Sequence, residues 1–198
     1  MSSDLHQVPE LTLPPTEANF LEAAYAKADV ILEYGSGGST MLAARQKHSL
    51  VASVESDQSW AENLQAVLAR DFPKANVKVH WENIGPTKEW GYPVDASQWR
   101  RYHRYPLAVW RQPWFAEPDL VLVDGRFRMA CFLATFLNIL RPTTLLFDDY
   151  GDRPYYAKVE RFAKPVEMVG RMARFELQPQ PIRRKVMADV MHWFADER

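Results

Sequence analysis

The stretch Val30–Thr40, VILEYGSGGST, decides how the chain is read. Five largely apolar residues run into three glycines within four positions, followed by two hydroxyl side chains. A continuous apolar strand of this kind is buried on both faces of a parallel sheet. The glycine turn that ends it lets a ligand approach bare backbone, and the helix that follows offers free N–H groups. The second strand, LVASVES, carries Glu55 at its end, twenty positions after Gly35. A carboxylate there accepts hydrogen bonds from both hydroxyls of a ribose. Strand, turn, helix and second-strand acid together point to an adenosyl-bearing ligand, with a purely structural turn as the alternative. Between a dinucleotide and another adenosyl cofactor, two residues discriminate. The dinucleotide fingerprint places glycine at its sixth position, which is Thr40 here. Glu33 stands two residues before the first glycine, where an acid suits a bound amine better than a pyrophosphate.

Outward from this motif, strands alternate with helices. Thr16 to Lys27 reads as a helix capped by Thr16, with Phe20, Leu21, Ala24 and Tyr25 on one side. Ser39 and Thr40 are placed to cap a helix over Met41–Gln46. Asp57 caps a third, in which Trp60, Leu64, Val67 and Leu68 share a face. VKVHW makes a strand from Val77 to Trp81, and DLVLVDG makes a fourth. An apolar helix from Phe127 to Leu140 is stopped by Pro142. TTLLFDDYG then gives a fifth strand, and a helix is expected near Tyr155 to Ala163. VEMVG and MARFELQ are separated by little more than Gly170 and Arg171, too short for a parallel crossover, so they pair antiparallel. The expected fold is α/β: a Rossmann-like, doubly wound, seven-stranded sheet, mostly parallel with one antiparallel strand near its end.

Size and composition bound the function. With 198 residues the chain is long enough for one domain with a sizeable core. A 47% hydrophobic and 25% charged composition is that of a globular protein rather than a disordered one. A formal net charge of −1 supplies no field to gather nucleic acid or an anionic membrane. The single cysteine, Cys131, excludes an internal disulfide and a cysteine-based zinc cage, and its apolar surroundings make it a core residue. The opening residues have neither the basic end nor the apolar run of a signal peptide. No apolar run reaches the roughly 18 residues of a membrane helix. The expectation is a cytoplasmic, soluble protein.

ILEYGSGGST together with VASVES resembles the first two cofactor motifs of the class I S-adenosylmethionine-dependent methyltransferases, and the order of elements follows that family over about residues 28 to 178. The resemblance implies S-adenosylmethionine as cofactor. Glu33 then lies near its amino-acid end, Glu55 holds the ribose, and Gly35, Ser36, Gly37 and Gly38 line the turn. An antiparallel terminal strand fits this family better than a dehydrogenase.

Three acids stand at two strand ends: Asp124 after the fourth, Asp148 and Asp149 after the fifth. Neighbouring strands would bring them together, where carboxylates repel unless protonated or bound to a cation. Hard oxygen donors suit Mg²⁺, and a cation so placed would acidify an acceptor hydroxyl. LLFDDYGD is similar to metal-dependent O-methyltransferases of the catechol and macrocin types, which implies catalytic and metal-binding roles for Asp124, Asp148 and Asp149. The competing reading makes these acids helix caps and turn residues. The catechol type carries a lysine three residues after the fourth-strand acid, and here that position is Phe127. Arg126 and Arg128 flank it but cannot act as bases. His80 and His103 are substitutes by residue type alone.

SQWRRYHRYPLAVWRQPWF lies within an insertion at about residues 84–118. It interleaves Trp99, Tyr102, Tyr105, Trp110 and Trp114 with arginines. A lid or subunit contact is the favoured reading over a nucleic-acid platform. Arg126 and Arg128 hint at an anionic acceptor. The tail at about 181–198 is amphipathic, with Val186, Val190 and Trp193 on one face, and fits docking to the body or to a second copy. The function expected is methyl transfer from S-adenosylmethionine to an oxygen of a small molecule with cation assistance. A non-catalytic methyltransferase-like binding protein is the alternative, and an NAD-dependent oxidoreductase the third.

Overall fold

A computed structural model describes residues 7–181 and 184–197. Strands β1 (Val30–Tyr34), β2 (Leu50–Glu55), β3 (Val77–Trp81), β4 (Leu120–Val123), β5 (Thr143–Phe147), β6 (Glu167–Val169) and β7 (Met172–Leu177) form one seven-stranded sheet. Its order is β3-β2-β1-β4-β5-β7-β6. β1 to β5 pair in parallel, while β7 runs antiparallel to both its neighbours, with Phe147 opposite Ala173 and Val169 opposite Met172. The expected antiparallel hairpin is present, with β7 inserted between β5 and β6. The order reverses between β1 and β4, and in open α/β sheets such a switch point opens a crevice beyond the strand ends.

The alternation of side chains builds a core on each face of the sheet. Leu32, Tyr34, Val54, Val123 and Phe147 point to one face, against the helix α4 (Arg128–Asn138). Ile31, Val51, Leu122 and Leu146 point to the other, against α1 (Pro15–Tyr25). Both faces of β1 are closed, which is why its sequence is apolar except for Glu33. Cys131 is fully buried in the first core and its thiol is pushed up by that burial, as expected of a packing residue.

Local chemistry corrects several helix starts. α1 begins at Pro15, where a missing N–H costs nothing, and Thr16 is not its cap. α2 (Gly38–Ala44) begins three residues earlier than expected, with Gly37 as N-cap. Thr40 lies inside it and accepts the Gly37 N–H at 3.0 Å. Asp57 does cap α3 (Gln58–Asp71), accepting the Trp60 N–H at 2.9 Å. Trp60 leaves the buried face of α3 and instead donates to the Ser36 carbonyl at 2.9 Å. α4 starts at Arg128 because Phe127 is left-handed, and Pro154–Arg161 is a 3₁₀ rather than an α-helix.

The insertion packs as part of the body. Tyr102, Tyr105 and Val109 are core residues, and the Trp110 indole donates to the Tyr34 hydroxyl at 2.7 Å. Trp110 is partly buried, and Trp90 and Trp99 are the exposed tryptophans of the segment. A short ribbon pairs Thr87–Lys88 with Tyr92–Pro93. The tail docks on its own body through Val190, Trp193 and Phe194. Among the described residues no helix is long and apolar enough to cross a membrane.

Candidate active site

Beyond the C-terminal ends of β1, β2, β4 and β5 lies a cleft of about 1280 Å³. Its floor is the glycine turn. Gly35 adopts φ +102°, and a Cβ there would stand 2.7 Å from the Gly125 backbone, so the β1 and β4 turns touch through glycine. Gly125 is in turn overlain by the Tyr105 hydroxyl, which donates to the Val54 carbonyl at 3.2 Å. Gly35→Ala combines a left-handed alanine with a backbone clash, and an expected loss of about 2–4 kcal/mol would be read by denaturant unfolding.

Glu55 lines the cleft and gathers donors around it. It accepts from the Ser36 hydroxyl at 2.8 Å and from the backbone N–H groups of Ser56 at 2.6 Å and Asp57 at 2.9 Å. Ser36, Gly37 and Gly38 border the same wall.

Glu33 sits elsewhere. It is fully buried beneath the turn, accepting from the Tyr25 hydroxyl at 2.6 Å and the Thr40 hydroxyl at 2.6 Å. Burial raises its pKa against the hydrogen bonds from Thr40 and Tyr25. Through Thr40 it ties the Gly37 N–H, so Glu33 braces the turn from below and does not border the cleft. Roofed in this way, Glu33 does not discriminate an amine-bearing cofactor from a dinucleotide.

The three aspartates converge as expected, but arginines lie among them. Both carboxylate oxygens of Asp148 are held by one edge of the Arg171 guanidinium, at 3.0 Å from Nε and 2.7 Å from Nη2. Asp149 meets Arg128 at 3.2 Å, Arg153 at 3.0 Å and Arg171 at 3.2 Å. Asp124 meets Arg128 at 3.1 Å. Arg128 spends its remaining donors on the carbonyls of Gly125, Asp148 and Asp124, and is nearly fully buried. Asp124 is the least enclosed acid, with 27% of its side chain accessible from the cleft. Its carboxyl lies deep enough that desolvation pushes its pKa up to about 7. Arg128 pulls it down, while Asp148 and Asp149 add to the rise. Among the described residues the non-glycine residues with left-handed φ are Trp90 (61°), Phe127 (54°) and Asp149 (58°), and all border or adjoin this cleft. Such conformations concentrate at sites where surrounding structure holds them.

A methyltransferase-like protein from Silicibacter pomeroyi superposes with a TM-score of 0.90 at 50% identity, covering 96% of this chain and 98% of its own. The chain belongs to the class I methyltransferase-like family. More distant structures share the fold of this methyltransferase-like protein. The O-methyltransferase TomG from Streptomyces achromogenes, solved in complex with SAM, is 19% identical over 86% of this chain and 82% of its own (TM-score 0.57). The O-methyltransferase from Bacillus cereus, in complex with SAH, is 17% identical over 86% and 84% (TM-score 0.56). No family model matches the chain, and no curated protein matches it.

The residues present fit S-adenosylmethionine: Glu55 is a carboxylate at the cleft wall that would accept from ribose hydroxyls, and Ser36, Gly37 and Gly38 border the same cleft. Mg²⁺ does not fit. Each of the three carboxylates is engaged by guanidinium, and no cluster of metal-ligating side chains remains among the described residues. The cation that convergent carboxylates require is supplied by the chain itself. Millimolar MgCl₂ should leave the melting temperature of the methyltransferase-like protein unchanged in a thermal-shift assay; a saturable rise would contradict this.

The position where the catechol type has lysine is closed as well. Phe127 packs against Tyr102 and Tyr105, with ring centroids at 4.9 and 5.5 Å. His80 pairs with Glu82 at 3.3 Å, and neither it nor His103 borders the cleft. Sequence reasoning missed Trp90 and Tyr92 as cleft residues. The glycine after Trp90 was the available signal, since Gly91 lets that loop lie directly on Glu55 and Ser56.

Proposed function

We propose that this protein binds S-adenosylmethionine and methylates an oxygen of a small-molecule acceptor without a divalent cation. When bound, S-adenosylmethionine supplies a methyl group made electrophilic by its sulfonium. Glu55 accepts the hydrogen bonds of the ribose, and its own fixed donors hold the carboxylate in place. Asp124 takes the proton from an acceptor hydroxyl. Asp148 and Asp149 are paired with Arg128, Arg153 and Arg171, while Asp124 is the most accessible of the three carboxyls and takes the role of proton acceptor.

The observation that carries the reading is Asp124 itself: a carboxyl that borders the cleft, more accessible than its two neighbours, with desolvation and the nearby Asp148 and Asp149 raising its pKa toward the range of a general base. A base of that strength does the work otherwise asked of a metal or lysine. Incubation with isotope-labelled S-adenosylmethionine and a panel of hydroxylated acceptors tests it. An O-methyl product formed equally with and without EDTA is expected. Methyl found only on nitrogen, or turnover abolished by EDTA, would overturn it.

Glu55→Gln gives a further expectation. The amide still receives one hydroxyl but loses the charge, so affinity for S-adenosylhomocysteine should fall by roughly 10- to 100-fold in calorimetry. Unchanged affinity would remove Glu55 from the ribose.

A further inference from the structure

Four arginines border the cleft, and three of them are consumed by the aspartates. The fourth, Arg126, is different. It follows Asp124 by two positions, in the turn between β4 and α4. No carboxylate lies at ion-pairing distance from it among the described residues, and its Nε is buried with no hydrogen-bond partner. Its guanidinium lies over the Tyr92 ring, 3.8 Å from the centroid. A buried donor on a permanent cation is expensive to leave unmade, and arginine's planar fork matches a carboxylate. The ring fixes the guanidinium in place on one side, so the fork is held before any ligand arrives.

Tyr92 carries the mark of that unneutralised charge. Burial pushes its phenol up, yet the Arg126 charge and hydrogen bond, with Arg153 behind them, bring it below the usual tyrosine value. The groups facing the phenol are thus cations from the β4 and β5 turns.

We propose that Arg126 receives an anionic group of the acceptor, so that the substrates are small hydroxy acids: a hydroxyl for Asp124 and a carboxylate for Arg126. This rests on the methyltransferase reading above. The two residues' Cα atoms are within about 7 Å of each other, so a single small molecule spans both. Trp90 and Tyr92 line the same cleft, and their rings favour an aromatic body. The proton balance closes within the site. The acceptor hydroxyl gives its proton to Asp124, its oxygen forms the new bond to the methyl carbon, and the carbon–sulfur bond breaks to leave a neutral thioether.

A carboxylate could also come from the cofactor's own methionyl end, and the test separates the two sources. The 2-, 3- and 4-hydroxybenzoates and their hydroxybenzamides are titrated calorimetrically into the full protein, with and without saturating S-adenosylhomocysteine. At least one acid is expected to bind about 10- to 100-fold tighter than its amide. Arg126→Gln should erase that advantage, Arg126→Lys restore part of it, and both should keep wild-type affinity for S-adenosylhomocysteine. The last measurement also shows that the variants are folded. The proposal falls if acids and amides bind alike, if no acid binds, or if the acid's advantage survives Arg126→Gln. It also falls if S-adenosylhomocysteine affinity is what Arg126→Gln lowers, because the carboxylate is then the cofactor's. Should S-adenosylhomocysteine fail to bind the wild type, the cofactor reading falls, while the acid–amide comparison without it still decides the role of Arg126.

Discussion

Asp124→Asn should lower methyl transfer by about 10²- to 10⁴-fold, the range for loss of a positioned general base, while affinity for S-adenosylhomocysteine stays near wild type. Asparagine keeps the shape and the contact with Arg128 but cannot take a proton. The wild-type rate should rise with pH through a midpoint near 7, following ionisation of Asp124, and the residual rate of the variant should lose that limb. Stability runs the other way. The folded protein holds the Asp124 proton more tightly than the unfolded chain, whose value is near 3.8. This group's contribution is therefore present at low pH and is lost as pH rises through about 7. Activity and stability should thus move in opposite directions over the same pH window. A steady-state pH profile beside a pH series of denaturant melts checks both; an unchanged profile in Asp124→Asn would assign the proton to another group.

Arg128→Met should destabilise the protein by about 3–5 kcal/mol, the usual cost of removing one partner from a buried ionic cluster. Arg128 touches Asp124 and Asp149 by ion pairs and three main-chain carbonyls by hydrogen bonds, joining the β4 turn, the β5 turn and α4 in one side chain. Methionine fills the space but leaves three carboxylates facing two guanidiniums. For a chain of this size the loss corresponds to a fall of roughly 6–20 °C in melting temperature. In the same variant Asp124 should become harder to ionise, moving the activity limb upward in pH. A fall of a degree or less would mean that the cluster is not the brace described above.

The sheet was legible because each buried strand has one unmistakable sequence form. VILEY, LVLV and TTLLF are closed on both faces, and the two-residue gap at Gly170 and Arg171 admits only an antiparallel return. Glu55 and the glycine turn were legible because strand ends and turns are set by local chemistry. Glu33 was misplaced for a reason that periodicity cannot reveal. Its alternating position sends it to the α1 face of the sheet, and only the packing of Tyr25 and Thr40 over it decides that it is roofed rather than open to the cleft.

The aspartates were likewise read correctly as a convergent cluster. Their partners come from three separate places, the start of α4, the turn after β5 and the β6–β7 hairpin tip, and no spacing rule links Arg128, Arg153 and Arg171. The convergence of acids was visible; the source of the neutralising charge depended on tertiary contacts. The insertion shows the same limit, since a segment without a regular period gave no hint that Tyr105 lies over Gly125 at the cleft floor.

The claim on which everything else depends is that the cleft above Gly35 takes an S-adenosyl ligand. Isothermal calorimetry of the wild-type protein with S-adenosylhomocysteine and, separately, with NAD measures it most directly. One-site binding of S-adenosylhomocysteine, weakened in Glu55→Gln and with no heat from NAD, is the predicted result. Saturable binding of NAD with none of S-adenosylhomocysteine would contradict it.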